Sequence, residues 1–190
     1  MEQENKIKKI IPIVGIIAVI AIIAIVVVLL LGGKTKQEKI IERYVASISE
    51  LNASKIIESI DFIGAEVWYW YEEDIIEEFS QEDYEDFLKD YEEVAKEYQE
   101  DPEELDDWKE QIKEDIEEIK EEFKTYKIEI KKVNNIKELG KNLYAVDTTL
   151  EMKAEDKNAE EDDEMEIEEG DVTFIIYNNK VIYDDDGILY

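Results

Sequence analysis

The sequence predicts an α+β protein: an N-terminal transmembrane helix, then several helices including a long antiparallel helical pair, packed on a C-terminal antiparallel sheet of about four strands. Three observations carry that prediction. Residues 10–31 are an unbroken apolar run, residues 35–124 repeat apolar side chains at helical spacing, and residues beyond 125 alternate apolar with polar.

The first element is "IIPIVGIIAVIAIIAIVVVLLL", Ile10 to Leu31, without a charge. At roughly 1.5 Å per residue it reaches about 33 Å, the thickness of a bilayer core. A cleaved signal peptide would have a shorter apolar stretch and small residues at its exit, whereas large residues precede Gly32 here. Pro12 suits the first turn and Gly32-Gly33 the end. Gly15, Ala18, Ala21 and Ala24 recur every three residues, but without the G-x-x-x-G spacing of a packing face. Basic residues flank both ends, Lys6, Lys8 and Lys9 before and Lys34, Lys36, Lys39 and Arg43 after, so charge alone sets no orientation. A short basic start before an uncleaved apolar helix reads as a signal anchor, which places the large domain outside the cell membrane. The predicted organisation is a tail at 1–9, a transmembrane helix at 10–31, a linker at 32–35 and an acidic domain at 36–190.

Within the domain, Ile40, Ile41, Tyr44, Val45, Ile48 and Leu51 form one face of a first helix, interrupted by Asn52 and Ser54. A second stripe runs Ile56, Ile57, Ile60, Ile63, Val67, and continues through Tyr71 and Ile75 to Phe79. "SQED" at Ser80 is a capping box that opens a helix with the stripe Tyr84, Phe87, Leu88, Tyr91, Val94, Tyr98. "DPEE" predicts a cap at Asp101, Pro102 at the first helical position and a box closed by Glu104. The stripe Leu105, Trp108, Ile112, Ile116, Ile119 and Phe123 follows, making the antiparallel partner across the turn. Tyr126, Ile128 and Ile130 then share a strand face, as do Tyr144, Val146, Thr148, Leu150 and Met152. A third strand begins with Met165 and Ile167, and its phase shift at Gly170 suggests a bulge before Val172, Phe174 and Ile176. Asn178-Asn179 is a two-residue hairpin turn into Val181 and Tyr183.

This layout, with "EKIIERYVASISELNASKIIESID" ahead of "YKIEIKKV", "NLYAVDTTLEM" and "VTFIIYNNKVIYDDDG", resembles the NTF2-like (cystatin-like) domains of small membrane-anchored cell-envelope proteins. The resemblance implies a curved sheet wrapped around helices to form a conical pocket. It carries no catalytic motif, so no site residue follows from it.

Four adjacent aromatics in "AEVWYWYEED" are the most distinctive short stretch. In a helical frame Tyr71 joins the apolar face, Trp68 sits at its edge, and Trp70 falls beside Glu73 and Glu77. Packing explains most of them; Trp68, Trp70 and Tyr71 remain candidates to line a pocket for a small apolar ligand. A membrane-surface belt is disfavoured, because Glu72, Glu73 and Asp74 would meet anionic lipid. "YDDDG" lacks the closing Glu of a calcium loop. "EEDDEMEIEEGD" reads as a solvated hairpin tip, with Glu160, Asp162 and Asp163 as the residues that would hold a divalent cation.

Composition limits the chemistry. The chain has no Cys and no His, which excludes thiolate and imidazole catalysis and the zinc sites they build. With 52 acidic against 22 basic residues and a formal charge of -30, nucleic acid is excluded as a partner and a basic protein is favoured. Paired carboxylates for hydrolysis are available, but nothing in the pattern singles out a pair. The sequence therefore predicts a single-pass membrane-anchored extracytoplasmic binding or interaction domain with no cofactor and no catalytic activity. The alternatives are an anchored regulator facing the cytosol and a carboxylate-based hydrolase.

Overall fold

The computed structural model describes residues 33–71, 75–158 and 166–184. The compact unit Lys36–Tyr190 contains every helix and strand described. In chain order these are α1 (Lys36–Ser49), α2 (Ala53–Ser59), α3 (Phe62–Tyr69), α4 (Ile75–Glu78), α5 (Gln81–Glu100), α6 (Glu103–Glu122), β1 (Phe123–Gly140), β2 (Leu143–Asp156), β3 (Glu166–Tyr177) and β4 (Lys180–Asp184).

The strands form one antiparallel meander in the order β1-β2-β3-β4. Alternation along each strand sends successive side chains to opposite faces. On one face Ile128, Val146, Leu150, Val172, Phe174 and Ile176 pack with Ile41, Tyr44, Ile48 of α1, Ile56 of α2 and Ile112 and Ile116 of α6. On the other, Leu139, Leu143, Ala145, Ile175, Tyr177 and Ile182 pack with Val67 and Trp68 of α3 and Phe87, Val94 and Tyr98 of α5. Among the described residues the second face is covered at the end where β1 turns into β2. Farther along it is polar: Lys131 and Lys153 meet Glu151 at 3.0 and 2.6 Å, and the Thr149 hydroxyl donates to Asp171 at 2.6 Å.

Local chemistry explains where the helices begin. The Asn52 side chain caps α2 by accepting from the Lys55 amide at 3.1 Å. The expected capping box forms at Ser80: its hydroxyl accepts from the Asp83 amide, and the Asp83 carboxylate accepts from the Ser80 amide at 2.7 Å. The Ser80 hydroxyl, which also donates to the Asp83 carboxylate at 2.6 Å, does most to hold that carboxyl below its ordinary range, and the Ser80 amide adds to it. At α6 the expected box is absent; Pro102 is the N-cap without a side-chain bond, although the Asp101 carboxylate still accepts from the Glu103 amide at 3.3 Å. The β3–β4 turn is the predicted one, with Asn178 and Asn179 at φ 47° and 73°, the left-handed pair that a two-residue hairpin requires.

Several expectations are corrected. The helical stripe from Ile56 to Phe79 is not one helix: Ile60 is extended and bridges Val181 of β4, and Asp61 caps a new helix by accepting from the Gly64 amide. The long helices α5 and α6 are not a self-packed pair, because α5 buries its stripe in one core and α6 in the other; partly buried Leu105 touches both. β3 runs against β2 from Glu166 to Tyr177 without a register shift, so no bulge sits at Gly170. Ile167 instead points to the opposite face from Val172 and is 60% exposed. The irregularities lie elsewhere: β1 shifts register against β2 at four places, and β3 shifts against β4 between Ile175 and Ile176.

The resemblance to NTF2-like domains is also corrected. The sheet is open, with β1 and β4 as its edges, rather than wrapped into a cone. The anchored architecture finds no support among the described residues either. No helix among the described residues is long and apolar enough to cross a membrane, since α5 and α6 intersperse acids throughout their length. Residues 10–31 lie outside the described residues. What stands is an α+β domain with helices on an antiparallel four-stranded sheet, and the single-pass, cell-membrane and extracytoplasmic placements are withdrawn with the anchor.

The second core is dominated by rings. Trp68 stacks on Tyr71 and Phe79 with centroids 5.5 and 5.6 Å apart, and Phe87 meets Tyr177 edge-on at 5.1 Å. Burying such rings contributes about 1.5–3 kcal/mol each, against about 0–1 for an exposed ion pair. Two tyrosines also bond carboxylates across α3 and α5: Tyr91 donates to Asp61 at 3.0 Å, and Tyr98 donates to Glu66. Gly140 lies against the Tyr84 ring, which a Cβ would approach to 2.2 Å. Gly140→Ala is therefore expected to cost about 1–3 kcal/mol through overpacking. Urea unfolding would read this as a lower midpoint, and an unchanged midpoint would mean the ring moves aside freely.

Burial, reinforced by Asp90, Asp86 and Asp83, raises the Tyr71 phenol from 10.0 to about 12. A raised phenol favours the neutral form in the fold, so its contribution is fully present below pH 10 and is lost as pH rises through about 12. The fall in thermal midpoint over that window should be shallower in Tyr71→Phe than in the parent. Identical slopes would show that this hydroxyl is not held neutral by the fold.

Candidate functional site

A cleft of about 540 Å³ opens between α1, α2 and the β3–β4 turn. Helical spacing builds its first wall. Ile40, Arg43 and Ser47 follow one another at three or four residues along α1, beside Ala46 and with Glu50 just past its end, while Ile41, Tyr44, Val45 and Ile48 turn into the core. Lys55, Glu58 and Ser59 repeat the spacing on α2. The chain folds back between the two helices at Leu51, whose φ is 49°, with the Asn52 amide donating to the Ser47 carbonyl at 3.0 Å.

Asn178, Asn179 and Lys180 close the third side. Their position is set by bonds to neighbouring turns. The Asn178 amide donates to the Asn142 carbonyl at 3.2 Å, and the Asn142 carboxamide donates to the Asn178 side-chain oxygen at 3.2 Å. Lys180 donates to the Ile60 carbonyl at 3.3 Å. Of the charges on the lining, Lys55 is paired with Glu50 at 2.5 Å. Arg43 has no ion pair among the described residues and is exposed.

A second cavity of about 380 Å³ lies at the other end of the first sheet face, between Tyr126, Ile128, Leu150, Met152 and Val172, with Glu168 and Glu169 at its rim. Burial raises the Tyr126 phenol above its ordinary range.

The aromatics singled out in the sequence are placed apart from both cavities. Trp68 is 3% exposed and stacked in the second core. Tyr71 is partly buried beside it, with its hydroxyl 3.5 Å from the Asp83 carbonyl. Trp70 is 57% exposed and Tyr69 81%. Because α3 ends at Tyr69, Trp70 falls in the turn rather than on a helix face. The cation candidates Glu160, Asp162 and Asp163 lie outside the described residues; among the described residues no group of three acids is placed to hold a metal. Among the described residues the carboxylates displaced from their ordinary range, Asp83, Glu129, Glu151 and Glu155, are all lowered, by the Ser80 bonds in the first case and chiefly by lysines in the others.

Sequence reasoning passed over Arg43, Asn178 and Lys180 as site residues. Arg43 was visible as the only arginine and Asn178 as a turn residue, but nothing in their spacing joins positions more than 130 apart. No family model, curated protein or solved structure matches this chain.

The aromatic placement predicts a contrast. Trp68→Ala should cost about 3–5 kcal/mol, as large-to-small changes in a core do. Trp70→Ala, at a site 57% exposed, should stay within about 0.5 kcal/mol. Equal losses in chemical denaturation would mean that the exposed indole packs against something further.

Proposed function

We propose that this chain is a non-catalytic binding domain whose ligand sits in the cleft between α1, α2 and the β3–β4 turn. The observation that carries the reading is the cleft itself. Its volume of about 540 Å³ falls within the range of small-molecule sites, and three separate elements converge on it with their walls held by backbone bonds. Binding there demands little reordering, because the turns that set the walls are already fixed.

The available groups support a reading without chemistry. The chain has no His or Cys, and the displaced carboxylates among the described residues are all lowered, the wrong direction for a proton donor near neutrality. The cleft's own groups bind and orient.

Ala46 lines the cleft from an exposed position on α1, so Ala46→Trp should fill it without disturbing either core. A small-molecule screen by thermal shift is expected to find compounds that raise the midpoint of the parent and leave Ala46→Trp unmoved. A ligand at a hundred times its Kd stabilises by about 2.7 kcal/mol, which such melts resolve. Equal stabilisation of parent and variant by every hit would place binding elsewhere and end the reading.

A further inference from the structure

We infer that the group held in this cleft is an oxyanion, a carboxylate or phosphate carried by a small molecule, taken by the Arg43 guanidinium with Lys180 and the Asn178 amide as flanking donors. This rests on the cleft being the ligand site and adds the ligand's chemistry to it.

The first support is a local reversal of charge. The chain carries 52 acidic and 22 basic residues, yet the lining has three basic residues, Arg43, Lys55 and Lys180, against two acids, Glu50 and Glu58. Lys55 and Glu50 neutralise each other at 2.5 Å, leaving Arg43 and Lys180 against Glu58. The second support is the arginine. It is the only one in the chain, and among the described residues it has no carboxylate partner despite the excess of acids. A guanidinium presents a rigid fork that matches a carboxylate or phosphate with two parallel bonds, which a lysine cannot do.

The turn adds a donor. The Asn178 oxygen already accepts from Asn142, which leaves the N–H₂ group as the other hydrogen-bonding end of this cleft-lining carboxamide. A cation would gain little here over the rest of this acidic surface, which attracts cations everywhere. An anion is repelled by the whole chain, but at physiological salt that repulsion fades over about 8 Å, within which contacts with Arg43 and Lys180 decide.

The test uses the full 190-residue chain and amide chemical shifts at constant ionic strength, with inorganic phosphate, succinate, glycerol and ethylammonium as probes. Phosphate or succinate should move the amides of residues 43–47 and 178–180 saturably, and the tighter of the two identifies the source of the oxyanion. Arg43→Ala should weaken that binding at least about tenfold, as loss of a charge-assisted pair does, with Arg43→Lys in between. Lys180→Gln should weaken it too, and the undisturbed spectrum elsewhere would confirm that each variant is folded. Tighter binding of glycerol or ethylammonium at the same amides would overturn the oxyanion while leaving the cleft as the ligand site. Unchanged anion affinity in both Arg43→Ala and Lys180→Gln would overturn it as well, and silence from all four probes would remove both the oxyanion and the cleft reading.

Discussion

Asp61 is the junction on which the arrangement of layers depends. Its carboxylate accepts from the Gly64 amide at 3.3 Å and from the Tyr91 hydroxyl at 3.0 Å, and its own amide donates to Val181 at 3.0 Å. One residue thereby starts α3, ties it to α5 and pins both to the edge of the sheet. Ile60 and Phe62, on either side of it, belong to the first core, and Val67, farther along α3, to the second. The chain passes from one face of the sheet to the other along α3. Without a cap and an edge bond here, the apolar stripe from Ile56 onward would continue as one helix and leave half of the sheet's second face uncovered.

Division into two cores reconciles the composition with the fold. Each long helix has one apolar stripe and spends it on a different face, so the acids of both remain in water. Short lysine pairs on α6, Lys109 with Asp106, Lys113 with Glu110 and Lys120 with Glu117, offset part of the repulsion locally. At the end of α6 the Lys157 amide donates to the Glu122 carbonyl at 2.9 Å, and the Lys157 ammonium donates to the Lys120 carbonyl. A cation at a helix C-terminus suits the negative end of the helix dipole. Among the described residues the charge is thus carried mainly on exposed faces, where it solvates the domain; Asp184 is buried and accepts from the Tyr44 hydroxyl at 3.2 Å.

The cleft is a by-product of the same geometry. α1 and α2 lie over the first face because their stripes demand it, and the β3–β4 turn rises beside them because two left-handed asparagines reverse the chain within two residues. Where these meet, residues that packing does not use are left facing one another. Arg43 and Lys180 are exposed on their own elements and come to line one cleft only through that convergence.

What the sequence determined by itself was local: the helical stripes, the box at Ser80, the alternating strands, the turn at Asn178-Asn179 and the exclusion of imidazole and thiolate chemistry. Each is set by a few neighbouring residues whose periodicity or cap chemistry has one stable solution. Tertiary structure alone decided the break at Ile60-Asp61, because an apolar stripe does not reveal that β4 offers a backbone partner more than a hundred residues away. It also decided that α5 and α6 serve separate cores, since a stripe states that a face is buried and not against what. Ile167 shows the same limit: its phase suggested a bulge, while register with β2 places it on the open face. The candidate site was the least legible part. A cleft is made of residues that three elements leave over after packing, and no spacing within any one of those elements encodes the distance between them.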